Sequence, residues 1–110
     1  MAVSRMRRVD GVMREVIGAT IAGELQDPRI GFVTVTDVQT SPDLRSAKVH
    51  VSVLGTDAEK AATMEGLQAA HGVIQRAISA QLRLKRTPAL QFVYDDSVER
   101  ADRLTRMMDE

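Results

Sequence analysis

Residues 31–54 decide the fold, and they read GFVTVTDVQTSPDLRSAKVHVSVL. Residues 31–40 alternate and are rich in β-branched side chains, which predicts a strand. Residues 45–54 alternate as well, and their apolar side is formed by Ala47, Val49, Val51 and Val53. Between the two segments, Ser41-Pro42-Asp43 is a turn signal. We therefore expect an antiparallel strand pair with one buried face and one face in water.

Helices are predicted on both sides of this strand pair. Apolar residues recur at steps of three and four over residues 9–25, which indicates an amphipathic helix that ends before Asp27-Pro28. Thr56 and Glu59 have the spacing of a capping box and begin a second helix. That helix would run to about Leu84, beyond the usual length of about 8–20 residues. We therefore expect a break near one of its glycines, which are Gly66 and Gly72.

The C-terminal part adds a strand and a short helix. Residues 89–94 read as a third strand, with Leu90, Phe92 and Tyr94 on one side. A second capping-box spacing at residues 96–99 begins a helix whose inward residues would be Val98, Leu104 and Met107 or Met108. The order is helix, strand, strand, kinked helix, strand, helix. It predicts a single α+β domain over residues 1–110, with a three-stranded sheet and helices on one face.

Composition excludes several classes of protein. With 110 residues, 44% apolar and 27% charged, the chain is an ordinary globular domain. The absence of cysteine excludes a disulfide framework and a cysteine zinc site. No apolar run approaches the roughly 20 residues that span a bilayer, and no secretory signal begins the chain, so we expect a cytoplasmic protein.

Charge is unevenly distributed although its sum is zero. Arginine supplies 12 of the 15 cations, and its planar fork suits phosphate. Cations cluster in residues 5–14 and 76–86, whereas residues 95–110 hold six acids and three arginines. This pattern is compatible with a basic phosphate-binding face or with an ordinary solvated surface of salt bridges.

Catalysis has little support in the sequence. His50 and His71 lie 21 residues apart and match no metal-binding or nucleophile motif. Neighbouring Asp95 and Asp96 point apart at a strand end, and Asp96 is expected to be a helix N-cap. Glycine-rich phosphate loops are absent from the sequence. We expect no enzyme activity, no cofactor, no metal and no small-molecule substrate.

Nucleic-acid binding fits the element order better. A base-stacking sheet would need exposed aromatics, but alternation places at least two of Phe32, Phe92 and Tyr94 in the core. The order helix, strand, strand, broken helix, strand is that of a type II KH core, which clamps a single strand at a glycine-containing break between two helices. Here the break reads Ala70-His71-Gly72 and lacks a complete GxxG.

A family resemblance extends along nearly the whole chain. It is carried by Arg5 through Val9, Asp27-Pro28-Arg29-Ile30, residues 32–38, residues 41–44, residues 47–55, Leu67, Ala70, Gly72, Pro88, Leu90, Phe92, Asp96-Ser97 and Arg103-Leu104. In this order and spacing the chain resembles the bacterial ribosome-binding factor A family, whose KH-like core has an Ala-x-Gly kink where GxxG would be. The resemblance implies a non-enzymatic, monomeric assembly factor. Such a factor binds free small (30S) ribosomal subunits, assists late maturation and processing of the 5′ end of 16S rRNA, and dissociates before translation. The C-terminus is short for the family, so a function of a longer tail is not carried over.

The residues predicted to contact RNA are basic or lie at the kink. They are Arg5, Arg7, Arg8, Lys48, Ala70, His71, Gly72, Arg76, Arg83, Lys85 and Arg86. Arg76 and Arg83 are two turns apart on one helix face, and Gly72 leaves room for an RNA backbone. Structural or protein-binding interpretations stay open as alternatives to RNA contact. Gly72 would serve packing alone, and Arg29 would form a salt bridge at the exit of the first helix. The acidic helix at residues 96–110 would dock a protein.

Overall fold

The computed structural model describes the backbone of residues 2–109 and the side chains of residues 6–109. Its elements follow the predicted order, with bounds α1 (Ala2–Gly23), β1 (Phe32–Thr40), β2 (Ser46–Leu54), α2 (Asp57–Ala69), α3 (His71–Gln81), β3 (Ala89–Tyr94) and α4 (Ser97–Asp109). α1 ends two residues before the predicted limit, although Leu25 still packs against the core.

The three strands form one sheet in the order β1-β2-β3. β1 and β2 are antiparallel, as the turn signal predicts, and β3 is parallel to β2. A parallel neighbour requires a crossover connection, which α2 and α3 provide. The sheet therefore has two distinct ends: Ser46 and Ala89 pair at the end where β3 begins, and Val51 pairs with Tyr94 where it finishes.

The core lies between one face of the sheet and α1, α2 and α3. Its buried residues are Met13, Val16, Ile17, Ile21, Val38, Ala47, Val49, Val51, Val53, Leu67, Ile74, Ile78 and Leu90. Phe92 and Tyr94 pack against this cluster, whereas Phe32 is 81% exposed. This confirms the expectation that at least two of the three aromatics belong to the core. Helices on one sheet face are confirmed for these three elements.

The capping box at the start of α2 is present as predicted. The Glu59 backbone N–H donates to the Thr56 hydroxyl at 3.2 Å, and the Thr56 N–H donates to the Glu59 carboxylate at 3.0 Å. The second predicted capping box does not form, because Glu99 accepts hydrogen bonds from Lys60 and Tyr94 instead. At that helix start Asp95, not Asp96, accepts the Ser97 N–H, at 2.9 Å.

The helix break lies at Ala70 rather than at a glycine. Ala70 has φ −88° and ψ 7° and separates α2 from α3. Gly66 is inside α2, and a Cβ there would be 2.8 Å from Ile30 Cγ1, so this glycine permits close packing. Gly72 lies in the first turn of α3, next to the break, and a Cβ there would meet no atom within 4 Å. The expectation of a break near Gly72 is thus correct, but glycine does not supply its backbone conformation.

The prediction that α4 turns its apolar side chains inward is wrong. Val98, Leu104, Met107 and Met108 are 60–84% exposed. α1, α2 and α3 already cover the apolar sheet face, so α4 extends from the end of β3 and contributes to a long molecule of 52 × 37 × 19 Å. Its first turn is held by Lys60, whose Nζ lies 2.7 Å from Glu99 Oε1.

Candidate nucleic-acid interface

The loop before β3 carries the predicted cations Arg83, Lys85 and Arg86, and all three are exposed. The prediction that Arg83 shares a helix face with Arg76 is wrong, because α3 ends at Gln81. The loop is anchored where Ala89 N–H donates to the Arg45 carbonyl at 2.9 Å. Because β3 begins here, the three cations lie at the end of the sheet that is opposite to α4.

An open groove of about 490 Å³ lies beside these cations. It is lined by Gly72, Gln75, Arg76, Ser79 and Thr87. Gln75 is committed to the fold, because its Nε2 donates to the Pro88 carbonyl at 2.9 Å. The arginine and the two hydroxyls therefore remain as the polar groups of the groove, and bare backbone at Gly72 forms part of its wall. Arginine and hydroxyl side chains are common donors to phosphate.

Ser79 and Thr87 were not predicted as site residues. Ser79 lies three positions after Arg76, so helical spacing places both on one face of α3 and could have identified the serine. Thr87 comes from the following loop, and only the tertiary structure brings it to the groove.

The residues of the break are accessible to different degrees. Ala70 is half-buried and His71 is exposed. The imidazole Nδ1 of His71 lies 2.8 Å from the Gln68 carbonyl, so Nδ1 carries the hydrogen and Nε2 is left as the acceptor in the neutral ring. Gln68 in turn donates to the Leu90 carbonyl at 3.2 Å, which ties the break to the outer edge of β3.

The first half of α1 approaches the same end of the sheet. The Thr40 N–H donates to the Asp10 carboxylate at 3.1 Å, and Thr40 pairs with Ala47 close to Ser46. Arg7 and Arg8 lie one turn or less before Asp10 and are exposed. The prediction for Arg5 lies outside the described side chains.

Lys48 lies apart from the groove. It is exposed on the sheet face opposite to the helices, in register with Gln39 and Gln91. A ligand that contacts both Lys48 and the α3 groove must pass around the end of the sheet. His50 lies on the same strand face, which was expected to be in water, but it is half-buried, and its Nε2 is enclosed without a hydrogen-bond partner among the described residues.

The predicted cations are free of ion pairs within the described part of the chain. Of residues 6–109, the cations with a carboxylate oxygen within 4.0 Å are Arg29, Arg45, Lys60, Arg100 and Arg106. Arg29 pairs with Asp27 at 2.7 Å, which confirms the prediction of a salt bridge at the exit of the first helix. The salt-bridged surface that charge alone allowed is thus found mainly away from the basic groove.

No metal centre or membrane span accompanies this surface in the described residues. Across residues 2–109, three or more His, Asp or Glu side chains are nowhere grouped so that they could hold a metal ion. In that same stretch, none of the helices has the length and apolar character needed to cross a bilayer.

Sequence comparison identifies relatives over almost the entire chain. The profile of the family described as Ribosome-binding factor A matches residues 5–108. A protein named Ribosome-binding factor A from Anaeromyxobacter sp. (strain K) is 49% identical over 108 residues, which cover 97% of this chain and 78% of that protein.

Solved structures share the fold. The solution NMR structure of a Thermotoga maritima protein described as a candidate ribosome binding factor A is 34% identical, with a TM-score of 0.73 over 81% of this chain and 85% of that chain. A homology model of Thermus thermophilus ribosome binding factor A, fitted into the cryo-EM map of a 30S–RbfA complex, is 23% identical and matches with a TM-score of 0.65 over 79% of this chain and 91% of that one. The α+β fold with its kinked helix pair is KH-like, and the chain belongs to the ribosome-binding factor A family.

Proposed function

We propose that the chain binds the small (30S) ribosomal subunit through RNA phosphates at its basic end. One observation carries the proposal: Arg76 lines an open groove beside the exposed loop cations Arg83, Lys85 and Arg86, and these four cations have no carboxylate oxygen of residues 6–109 within 4.0 Å. Membership of the ribosome-binding factor A family supports it, as does the 30S complex described for the Thermus thermophilus relative. Arginine and lysine that lack acidic partners retain their full charge for phosphate.

The finer role that we propose follows from the family. The chain binds free small subunits late in maturation, assists processing of the 5′ end of 16S rRNA, and dissociates before translation. A factor of this kind needs no catalytic residue or cofactor, because it shifts an RNA equilibrium by binding one conformation more tightly than the other. We propose that residues 1–110 act as a single domain and as a monomer in the cytoplasm.

The proposed contact residues divide into three groups. The loop and groove group is Arg76, Arg83, Lys85 and Arg86, the break group is Ala70, His71 and Gly72, and the outlying group is Arg5, Arg7, Arg8 and Lys48. Arg76 of the first group and Gly72 of the second line the groove, and Ser79 and Thr87 add hydroxyls to it.

Co-sedimentation with separated ribosomal subunits tests the proposal. We expect the wild-type chain to migrate with free small subunits and not with whole ribosomes. The triple variant Arg83→Ala, Lys85→Ala, Arg86→Ala should lower the affinity and reduce the log–log salt slope by about 2, at roughly 0.7 per phosphate contact. Thermal unfolding should be nearly unchanged, because these side chains are exposed.

A matched control removes the same charge from the opposite end. The variant Arg100→Ala, Arg103→Ala, Arg106→Ala also loses three cations, but from α4. It should retain wild-type binding and salt slope. Equal loss of binding in both variants would mean that net charge alone, and not the basic groove, determines association. Migration of the wild-type chain only at the top of the gradient would refute the proposal.

A second function, docking of a protein through α4, is favoured by one observation. The apolar side chains of this helix are exposed although its sequence is amphipathic. Binding of this kind should survive high salt and require residues 97–110. A nearly flat salt slope for the full chain, together with loss of small-subunit binding on removal of residues 97–110, would favour the protein partner over RNA.

A further inference from the structure

A second groove, separate from the α3 groove, lies between α1 and the edge strand β1. Its volume is about 270 Å³, and it is lined by Arg7, Asp10, Gly11, Arg14, Asp37 and Val38. Ligand pockets for drug-sized molecules range from about 300 to 1,000 Å³, so this groove is slightly smaller than that range and suits a single small ring system.

The α1 side of the groove offers two guanidinium groups with a flat surface between them. Arg7 and Arg14 are seven residues apart, which is two helical turns and about 10 Å along one face of α1. Gly11 lies between them, and a Cβ at this position would meet no atom within 4 Å. Bare helix backbone therefore separates the arginines and leaves space for a planar group.

The β1 side is shaped by a β-bulge. The register of β1 against β2 shifts between Val35 and Asp37, and the hydroxyl of the intervening Thr36 lies 2.7 Å from the Asp95 carboxylate and 3.2 Å from the His50 carbonyl. These contacts hold the bulge in place. Bulges re-aim neighbouring side chains, and here Val38 is buried while Asp37 is exposed at the groove.

The charges of the groove balance without pairing. Neither arginine lies within 4.0 Å of a carboxylate oxygen of residues 6–109. The Asp10 carboxylate accepts from the Thr40 N–H at 3.1 Å, whereas the Asp37 carboxylate forms no ion pair within residues 6–109. A phosphate alone would be repelled by the carboxylates, so the groove favours a ligand that presents acceptors to arginine and donors to aspartate.

Guanine has this combination of groups. Its N7 and O6 accept from arginine, which is the commonest specific arginine contact to a base, and its N1–H and N2–H₂ donate to a carboxylate. Adenine places an acceptor at N1, which would face the carboxylate unfavourably. We propose that the α1–β1 groove binds one unpaired guanine of RNA, with Asp37 accepting from its Watson–Crick edge and the arginines donating to N7, O6 and the phosphate of the nucleotide. The inference rests on the proposed RNA-binding function.

NMR titration of the ¹⁵N-labelled full chain tests this site. The probes are the pentanucleotides UUGUU, UUAUU and UUIUU, where I is inosine, which lacks the 2-amino group. We expect the backbone amides of Gly11 and Val38 to shift with UUGUU at an affinity about tenfold or more above that for UUAUU. UUIUU should bind with intermediate affinity, because the bond from the 2-amino group is lost.

Two variants make the test specific. Asp37→Asn should bind UUGUU and UUAUU equally, and its dispersed amide spectrum will show that the fold is kept. Gly11→Val fills the free wall of the groove and should therefore abolish the shifts of Val38. The fold should tolerate the substitution, because a Cβ at Gly11 would meet no atom within 4 Å. Arg76→Ala in the other groove should weaken all three RNAs without changing the preference for guanine.

Three results would overturn the guanine site: equal affinity for UUGUU and UUAUU, unchanged preference in Asp37→Asn, or no shift of Gly11 and Val38 with any RNA. Co-sedimentation with small subunits, measured on the same samples, separates this failure from failure of the proposed function. Retained subunit binding without guanine preference refutes the site alone. If the wild-type chain shows neither small-subunit binding nor guanine preference, RNA binding itself is refuted.

Discussion

Asp95 connects three parts of the fold through its carboxylate. It accepts from the Thr36 hydroxyl in β1 at 2.7 Å and from the Ser97 N–H at the start of α4 at 2.9 Å. These hydrogen bonds, the one from Thr36 first, lower the pKa of Asp95 to about 2. The ionised carboxylate is therefore favoured in the folded state. Through it, a single side chain links the β1 bulge to the end of β3.

The pH dependence follows from the direction of this shift. A lowered folded-state pKa stabilises the protein above the ordinary value of 3.8, and the contribution is lost as the pH falls through about 2. We expect Asp95→Asn to be less stable than wild type at pH 7 and the difference to shrink between pH 4 and pH 2. Urea unfolding midpoints across this range measure it. A difference that stays constant with pH would contradict the proposed role of the charge.

Gly66 and Gly72 differ in the space available for a side chain. An alanine Cβ at Gly66 would lie 2.8 Å from Ile30 Cγ1, whereas one at Gly72 would meet nothing within 4 Å. Overpacking costs about 1–3 kcal/mol, and the better helix propensity of alanine returns about 1 kcal/mol. We therefore expect Gly66→Ala to lower the free energy of unfolding by up to about 2 kcal/mol.

For Gly72→Ala we expect unchanged or slightly raised stability together with weaker binding to small subunits. Denaturant unfolding and co-sedimentation of the two variants check both parts. Normal binding by Gly72→Ala would show that this glycine has no role in admitting RNA. Normal binding together with lowered stability would favour the alternative in which Gly72 serves packing alone.

At the scale of elements, α4 differs from the other helices. Leu104 and Met108 are 60% and 84% exposed, whereas Ile74 in α3 is fully buried. The first turn of α4 is held by Glu99, which accepts from Lys60 and Tyr94. The hydrogen bond from Lys60, and then that from Tyr94, lowers the pKa of Glu99. α4 is thus attached at one end and carries its apolar face in water.

Substitutions in α3 and α4 should accordingly have unequal effects. Leu104→Ser, on the exposed face, should change the free energy of unfolding by no more than about 0.5 kcal/mol. Ile74→Ala should cost about 2–5 kcal/mol, because it opens a cavity in the core. Chemical denaturation measures both. A large loss for Leu104→Ser would mean that α4 packs against the domain in solution.

At the scale of the whole molecule, the basic loop before β3 and the acidic C-terminal segment lie at opposite ends of the sheet. Arg83, Lys85 and Arg86, which have no carboxylate partner among residues 6–109, lie at the end where β3 begins, and the acids of residues 95–109 lie beyond its other end. Asp96, just before α4, and Asp102, within it, form ion pairs with Arg100 and Arg106 at 3.0 and 3.2 Å. The basic end is therefore the part of the surface that a polyanion would approach.

The salt dependence of binding reports on this arrangement. With about six phosphate contacts, the logarithm of the association constant should fall with the logarithm of salt concentration at a slope of roughly −4. Fluorescence anisotropy of the labelled chain with purified small subunits at 50–300 mM KCl measures it. A nearly flat slope would exclude phosphate contact as the main source of affinity.

The sequence by itself determined the elements and the buried sides of the strands. Alternation at residues 45–54, the capping box at Thr56 and Glu59, and the helical stripe of residues 9–25 are local patterns that act over a few residues. The structure confirms each of them, because short-range backbone preferences and side-chain periodicity agree there with the packing. The family, and with it the KH-like order of elements, was also readable from the sequence.

Only the tertiary structure decided what covers each apolar face and which distant residues meet. The stripe of α4 predicts an inward face, but the sheet surface it needs is already covered by three helices. Three contacts join segments that are distant in sequence. Ile30 packs closely on Gly66, Thr87 completes the groove beside α3, and the Thr36 hydroxyl donates to Asp95. Local periodicity shows that a side of an element is apolar. Which partner fills it depends on the volume and the order of all the elements together.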